Sequence, residues 1–379
     1  MKILLVGEYS KLHNSLKAGL QALGHEVLLV SSGDMFKNYS TDISLKPTVT
    51  TSSFLYYIRK ILFRLFKYDM VTTEKGLRFW FHKPKFKNFD VVQLINEYAI
   101  ETHLSWEKIF LKHLFQNNKK VFLLACGDDY ITNNYYLSGK MRYSVLSPYL
   151  KDESLVKTYT YSLKYVSKPF KKLHDFVFEH INGVIPSDMD YAIPYKGVAK
   201  ALPMIPNPIN SDEIPFKPLE ITDKIIIFHG VNKMNYLKKG NNLIDEALAI
   251  ITKKHKDTVT VIRAESVPYK EYITLYEKAH IVMDQVYAFD QGYNALEAMA
   301  SGKVVCTGAE LEFEKYYNLK EKVAVNLLPD VAEIVKTLEL LLSDKGELKA
   351  IGLRARHFIE RHHDYKKVAQ KYLDTWTNN

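Results

Sequence analysis

The chain has 379 residues, 47% of them hydrophobic, with 52 Lys and Arg against 43 Asp and Glu for a net charge of +9. That length and apolar content suffice for two domains of ordinary size. Only Cys126 and Cys306 occur, far apart and each in an apolar run, which excludes a disulfide-stapled scaffold or a cysteine zinc cluster and fits buried free thiols in a reducing compartment. No apolar run approaches the length of a membrane span, and the opening MKILLVGEYS lacks the apolar core and cleavage site of a signal peptide. A cytosolic protein is expected.

The first half alternates buried-strand runs with helical patterns. Lys2 to Val6 is a strand, a loop follows, and a helix runs from about Asn14 to Leu23 before Gly24-His25 and a second strand, Glu26 to Ser31. Further strands are predicted at Asp90 to Leu94, Lys120 to Ala125, Gly183 to Pro186 and Lys200 to Met204. Such alternation implies right-handed crossovers and a parallel, doubly wound sheet. The first loop, Gly7 to His13, is not the Gly-x-Gly-x-x-Gly dinucleotide fingerprint, which counts against a nicotinamide dehydrogenase.

Between these strands lies a basic, aromatic stretch, residues 54–89. From Phe54 to Tyr68, Arg59, Lys60, Arg64 and Lys67 recur at helical spacing opposite Leu55, Ile58, Leu62, Leu65 and Phe66. This is either an ordinary packed helix with solvated cations or a helix attracted to an anionic membrane surface. Lys164, Lys168, Lys171 and Lys172 extend the patch in sequence. Basic residues among aromatics also suit single-stranded nucleic acid, but no nucleic-acid-binding motif accompanies them, so no nucleic-acid partner is expected. The Lys120 to Ala125 strand runs into Cys126-Gly127-Asp128-Asp129. Its two carboxylates are candidates for sugar hydroxyls at a strand's carboxyl end, or for capping the next helix.

Pro206-Asn207-Pro208 reads as a linker, dividing the chain into residues 1–207 and 208–352, with a terminal helical segment at 353–379. Beyond it, Ile225 to Phe228 is a strand buried on both faces, ending at His229-Gly230, and the following loop presents Lys233, Lys238 and Lys239 before Gly240. Lysines at the carboxyl end of a parallel strand suit phosphate; a solvated loop is the plain alternative. Val259, Ile281, Val304 and Val323 mark further strands. Between the third and fourth of the second domain's strands, a loop holds Asp284, Asp290 and Gly292, an Ala-rich helix carries Glu297, and Gly302 stops it. Helix-start N–H groups attract anions while side-chain oxygens hold hydroxyls. The last segment, Leu353 to Trp376, reads as one long helix, and its neighbours His362 and His363 point too far apart to favour a shared metal.

Lys239-Gly240 together with Gly292, Glu297, Ala298, Met299, Ala300 and Gly302 resembles the donor half of GT-B-fold glycosyltransferases, especially the retaining group that builds bacterial surface polysaccharides. The resemblance implies two Rossmann-like α/β domains facing a cleft, with a terminal helix crossing back to the first. It implies sugar transfer from a nucleotide-sugar donor to a saccharide or lipid-linked acceptor, with lysines neutralising the diphosphate and no metal or cofactor required. On that pattern the donor binds at His229, Gly230, Lys233, Lys239, Gly240, Asp284, Gly292 and Glu297, with Glu297 on the ribose. Glu8 and His13, on the acceptor-side loop, are candidates for orienting or deprotonating the acceptor, and Asp128 and Asp129 flank the same cleft. One departure stands out: the family's first Glu falls on Phe289, leaving Asp290 or Asp284 as candidates for the sugar contact. A nucleotide-sugar epimerase or a non-catalytic sugar-binding relative therefore stands as the alternative.

Overall fold

A computed structural model describes residues 1–34, 39–265, 267 and 269–379. Two parallel sheets form the frame. The first contains β1 (Lys2–Val6), β2 (Glu26–Ser31), β3 (Ile43–Ser44), β4 (Val91–Leu94), β5 (Lys120–Ala125) and β6 (Gly183–Pro186), in the order β3-β2-β1-β4-β5-β6. The second contains β7 (Ile225–Val231), β8 (Val259–Glu265), β9 (Ile281–Met283), β10 (Val304–Thr307) and β11 (Val325–Asn326), in the order β11-β10-β9-β7-β8. Among the described residues the strands pair in parallel, with Leu5 opposite Leu29 and Phe228 opposite Val282. The central strands are apolar on both faces because helices cover both: Ile3 to Val6 are fully buried, as are Ile227 and Phe228.

Three predicted elements differ. Lys200 to Met204 forms only a bridge, Val184 to Ala201, since Pro203 has no N–H to continue a ladder. The strand expected near Val323 is Val325–Asn326. The long terminal helix is three pieces: Lys345–Phe358, a π-helical turn Ile359–His363, and Tyr365–Asn378. The first piece stays on the second domain, where Gly352 lies against the Gly302 carbonyl.

The crossing point is at Asp364. There Ile209 N–H donates to the His363 carbonyl (2.7 Å) and Tyr365 N–H donates to the Ile209 carbonyl (3.2 Å), so the outgoing and returning linkers form one two-stranded hinge. Buried His363 completes it, Nδ1 donating to the Asn207 carbonyl at 2.9 Å. The final helix then lies on helix Leu12–Ala22, whose Gly19 permits the approach: a Cβ there would stand 2.2 Å from the Tyr365 carbonyl oxygen. Its Trp376 is fully buried and donates to Gln93 Oε1 (3.1 Å).

Candidate functional site

The carboxyl ends of β7 and β9 carry the donor-side residues. After β7, Asn232 caps a 3₁₀ turn, Lys233–Asn235, which leads into Lys238-Lys239-Gly240 and helix Asn241–Lys254. Gly240 has φ +71°, and a Cβ would stand 2.3 Å from Val286 Cγ2, so the loop can turn against the 284–287 segment only with glycine here. That approach sets the Lys239 ammonium 2.6 Å from Asp284 Oδ1. Asp284 is buried and its other oxygen accepts from Thr307 Oγ1 (3.1 Å), so the carboxylate is fixed and orients the lysine. Gly292 begins helix Tyr293–Ala300 on Asp284's other side; a Cβ on it would lie 3.7 Å from Asp284 Oδ2. Glu297 sits further along that helix, half-buried, where its charge is felt by Tyr276 and Tyr293. The structure thus brings Lys239, Gly240, Asp284 and Gly292 into one cluster. Asn241, the first residue of the helix behind Gly240, is fully buried with both amide atoms unpartnered among the described residues.

Other donor-side candidates lie elsewhere. His229 is fully buried, Nε2 3.4 Å from Asp245 Oδ1, and burial lowers its pKa to about 4. It packs between β7 and helix Asn241–Lys254, which carries Asp245. Gly230 faces Tyr272, and Lys233 is an exposed partner of Glu265 at 2.7 Å. Lys238 instead crosses the cleft, donating to Ser162 Oγ of the first domain at 2.7 Å.

Asp290 is committed to the domain interface. Its oxygens accept from the N–H groups of Met189 (3.2 Å) and Gln291 (2.7 Å), while Asp190 accepts from Phe289 and Asp290 N–H groups at 3.1 and 3.2 Å. Burial raises the Asp290 pKa to about 6 and that of Asp190 to about 7. Phe289, at the family's carboxylate position, lies under the Arg142 guanidinium (4.5 Å from ring centroid), which pairs with Glu310 and Glu312. A first-domain cation thereby caps the ring where a carboxylate would have been.

On the acceptor side, Glu8 is a buried helix cap. It accepts from His13 N–H (3.3 Å), Asn14 N–H (2.9 Å) and Asn14 Nδ2 (2.6 Å), and burial lifts its pKa to about 7 despite those bonds. His13 is fully buried with its pKa lowered to about 4 by desolvation. Its Nδ1 must donate to the Gly7 carbonyl (2.7 Å), since a carbonyl only accepts, leaving the Nε2 lone pair unpartnered among the described residues. Asp129 caps the next helix through Thr132 N–H (2.6 Å) and is buried, whereas Asp128 is half-buried and accepts from Asn133 Nδ2 (2.9 Å). The first loop meets the second domain where the Tyr293 hydroxyl lies 3.4 Å from the Lys11 carbonyl; that hydroxyl donates to the Pro208 carbonyl (2.7 Å) and bonds Ser15 Oγ of the following helix. Strand ends also gather polar side chains that sequence reading passed over: Tyr9, Asn96 and Glu101. Asn96 Nδ2 donates to Tyr9 Oη (3.2 Å), and Lys75 Nζ lies 2.5 Å from Glu101. Their only sequence signal is a place just past a buried strand.

Residues 240–374 match the family model described as glycosyl transferase-like. That match covers the second sheet's half of the chain, and the whole chain has the GT-B fold, two parallel α/β domains. The match begins at Gly240, the residue that sets Lys239 against Asp284. Across its whole length the chain superposes on a sucrose-phosphate synthase from Thermosynechococcus elongatus (TM-score 0.62, 13% identity, covering 99% of that chain). It also superposes throughout on Anabaena Alr3699/HepE in complex with UDP and glucose (0.59, 12%, 100% of that chain). A putative UDP-N-acetylglucosamine 2-epimerase from Listeria monocytogenes matches 98% of this chain and 94% of its own (0.53, 10%). No curated protein sequence matches the chain.

Proposed function

We propose that the protein moves a sugar from a nucleoside-diphosphate donor to a hydroxyl acceptor, and that the donor binds across the carboxyl ends of β7 and β9. The Lys239–Asp284 pair carries this reading: a fixed carboxylate holds an ammonium beside a glycine-opened loop and the start of helix Tyr293–Ala300. As the anomeric C–O bond breaks, negative charge grows on the departing diphosphate and positive charge on the sugar ring. Lys239 stabilises the diphosphate inside the cleft, with Lys238 nearby on the first domain's Ser162. These cations serve in place of a metal. Glu297 accepts from the ribose hydroxyls, and the acceptor hydroxyl attacks the anomeric carbon, passing its proton to the departing diphosphate. Retention of configuration is proposed from the family resemblance. Thermal-shift screening of nucleoside diphosphates and their sugars, beginning with the UDP series that HepE binds, tests the reading. Stabilisation by at least one series is expected, and no response to any would contradict it.

The Phe289 substitution and the commitment of Asp290 to Met189 favour a second reading, epimerisation of the donor sugar, which the Listeria likeness also suits. Chromatography separates the two: transfer frees the nucleoside diphosphate, whereas epimerisation changes the sugar.

A peripheral membrane position is also proposed. Helix Tyr56–Phe66 has no buried residue, with Leu65 67% and Phe66 70% exposed, and Trp80 and Phe81 are exposed on the next helix. Leu55 and Leu62 are only half-buried, so the ordinary packed-helix alternative is poorly served. No Asp or Glu occurs from Phe54 to Tyr68, against Arg59, Lys60, Arg64 and Lys67. Each cation near an anionic surface contributes about 1 kcal/mol. Among the described residues no helix is long and apolar enough to cross a membrane.

A further inference from the structure

Lys164 lies at the end of helix Val156–Leu163, two residues after Ser162, which meets Lys238 of the donor loop across the cleft. Its ammonium stands over four aromatic rings: 3.7 Å from the Tyr161 centroid, 4.8 Å from Tyr98, 5.1 Å from Tyr165 and 5.3 Å from Phe170. No carboxylate comes within ion-pairing distance of it among the described residues. Glu101, the carboxylate whose charge acts most on Lys164, is already held by Lys75 at 2.5 Å. Rings hold a cation on one side but do not neutralise it. A desolvated ammonium without a counter-ion costs free energy that a bound anion would recover.

The surroundings are those of a ligand wall. Tyr9 follows β1, Glu101 and Asn96 follow β4, and Asp128 follows β5, so the cluster sits beyond the carboxyl ends of the first sheet, where open α/β sheets bind ligands. Tyr161 is 47% exposed, so part of it stays open to solvent beside the ammonium. Lys75 and Lys238 add positive charge on either side. Asp128 and Glu101 offer oxygens to hydroxyls.

We propose that Lys164, with Tyr161 and Tyr9, forms an acceptor subsite for a phosphorylated saccharide: the ammonium takes the phosphate and Tyr161 stacks on the sugar ring. This rests on the transferase reading and names the class of its second substrate. Lys164 is a specificity-determining residue here, remote from the bond being broken.

The test uses the full chain with UDP present, titrated calorimetrically with glucose, with glucose 6-phosphate, and with a decyl glucosyl phosphate in neutral micelles. The native protein is expected to bind one or both phosphate esters at least tenfold more tightly than glucose; the tighter of the two identifies a soluble or a lipid-linked source. Lys164→Met is expected to abolish that preference and Lys164→Arg to retain it, both leaving UDP affinity unchanged. Independently of how the variants fold, the phosphate ester is expected to raise the titration midpoint of the native Lys164 ammonium, seen by lysine NMR, from about 8, where burial has lowered it. Equal binding of glucose and its phosphates with UDP bound normally would overturn the subsite alone. Failure of the native protein to bind UDP would remove the transferase reading and this proposal with it. An unmoved Lys164 midpoint, or a Met variant that keeps the phosphate preference, would also overturn it.

Discussion

Replacing Lys239 with Ala probes the donor site at its charged centre. The ammonium is three-quarters shielded and bonded to Asp284 at 2.6 Å, so it is pre-positioned rather than free to swing in solvent. A hydrogen bond to a charged group contributes about 1.5–3 kcal/mol, which is roughly a 10- to 150-fold loss in affinity. The upper end is expected, because the substitution leaves the buried Asp284 carboxylate facing an anionic diphosphate. Calorimetric titration with UDP and with uridine is the assay. Uridine lacks the diphosphate, so its affinity should fall less than about threefold while that of UDP falls at least tenfold. Adding Asp284→Asn to Lys239→Ala removes the repulsion and should recover about half of the lost binding free energy. Equal losses for UDP and uridine, or an unchanged UDP affinity in Lys239→Ala, would refute the assigned role.

Other outcomes follow from the same geometry. Gly240→Ala forces a Cβ to within 2.3 Å of Val286 at φ +71° and should cost about 2–3 kcal/mol, read as a lowered urea midpoint with an unchanged slope. Glu8 is pushed from 4.5 to about 7 by burial, so the folded state holds a proton that the unfolded chain releases between those values. Its contribution is therefore full below pH 4.5 and is lost as pH rises to 7; Glu8→Gln should flatten this window by up to about 3 kcal/mol in pH-dependent denaturation. Exchanging Arg59, Lys60, Arg64 and Lys67 for Gln should reduce co-sedimentation with anionic vesicles at least tenfold and leave UDP binding unchanged; undiminished sedimentation would contradict the membrane proposal.

Most strands were legible because they are short apolar runs, and Ile225 to Phe228 could hardly be placed elsewhere than between two helical layers. That same double burial hid which side chains reach the cleft: periodicity cannot say that His229 turns toward Asp245 while Lys239, ten residues on, meets Asp284. Ile43–Ser44 was missed because two residues carry no pattern. The break at Ile359–His363 contains neither Gly nor Pro, and the pull of the hinge on Ile209 appears only in three dimensions. The Arg142 stack on Phe289 and the exchange between Asp190 and Asp290 join residues about 100 or more positions apart. Lys164 looked like one more surface cation; Tyr161, Tyr165 and Phe170 are its neighbours in sequence, but Tyr98 comes from the distant loop after β4.

A crystal soaked with UDP offers the sharpest trial. The diphosphate should lie within hydrogen-bonding distance of Lys239 Nζ and the first-turn N–H groups of helix Tyr293–Ala300, with the ribose hydroxyls on Glu297. UDP bound at any other surface, or ordered in the cleft with its phosphates turned away from Lys239, would contradict the proposed donor site.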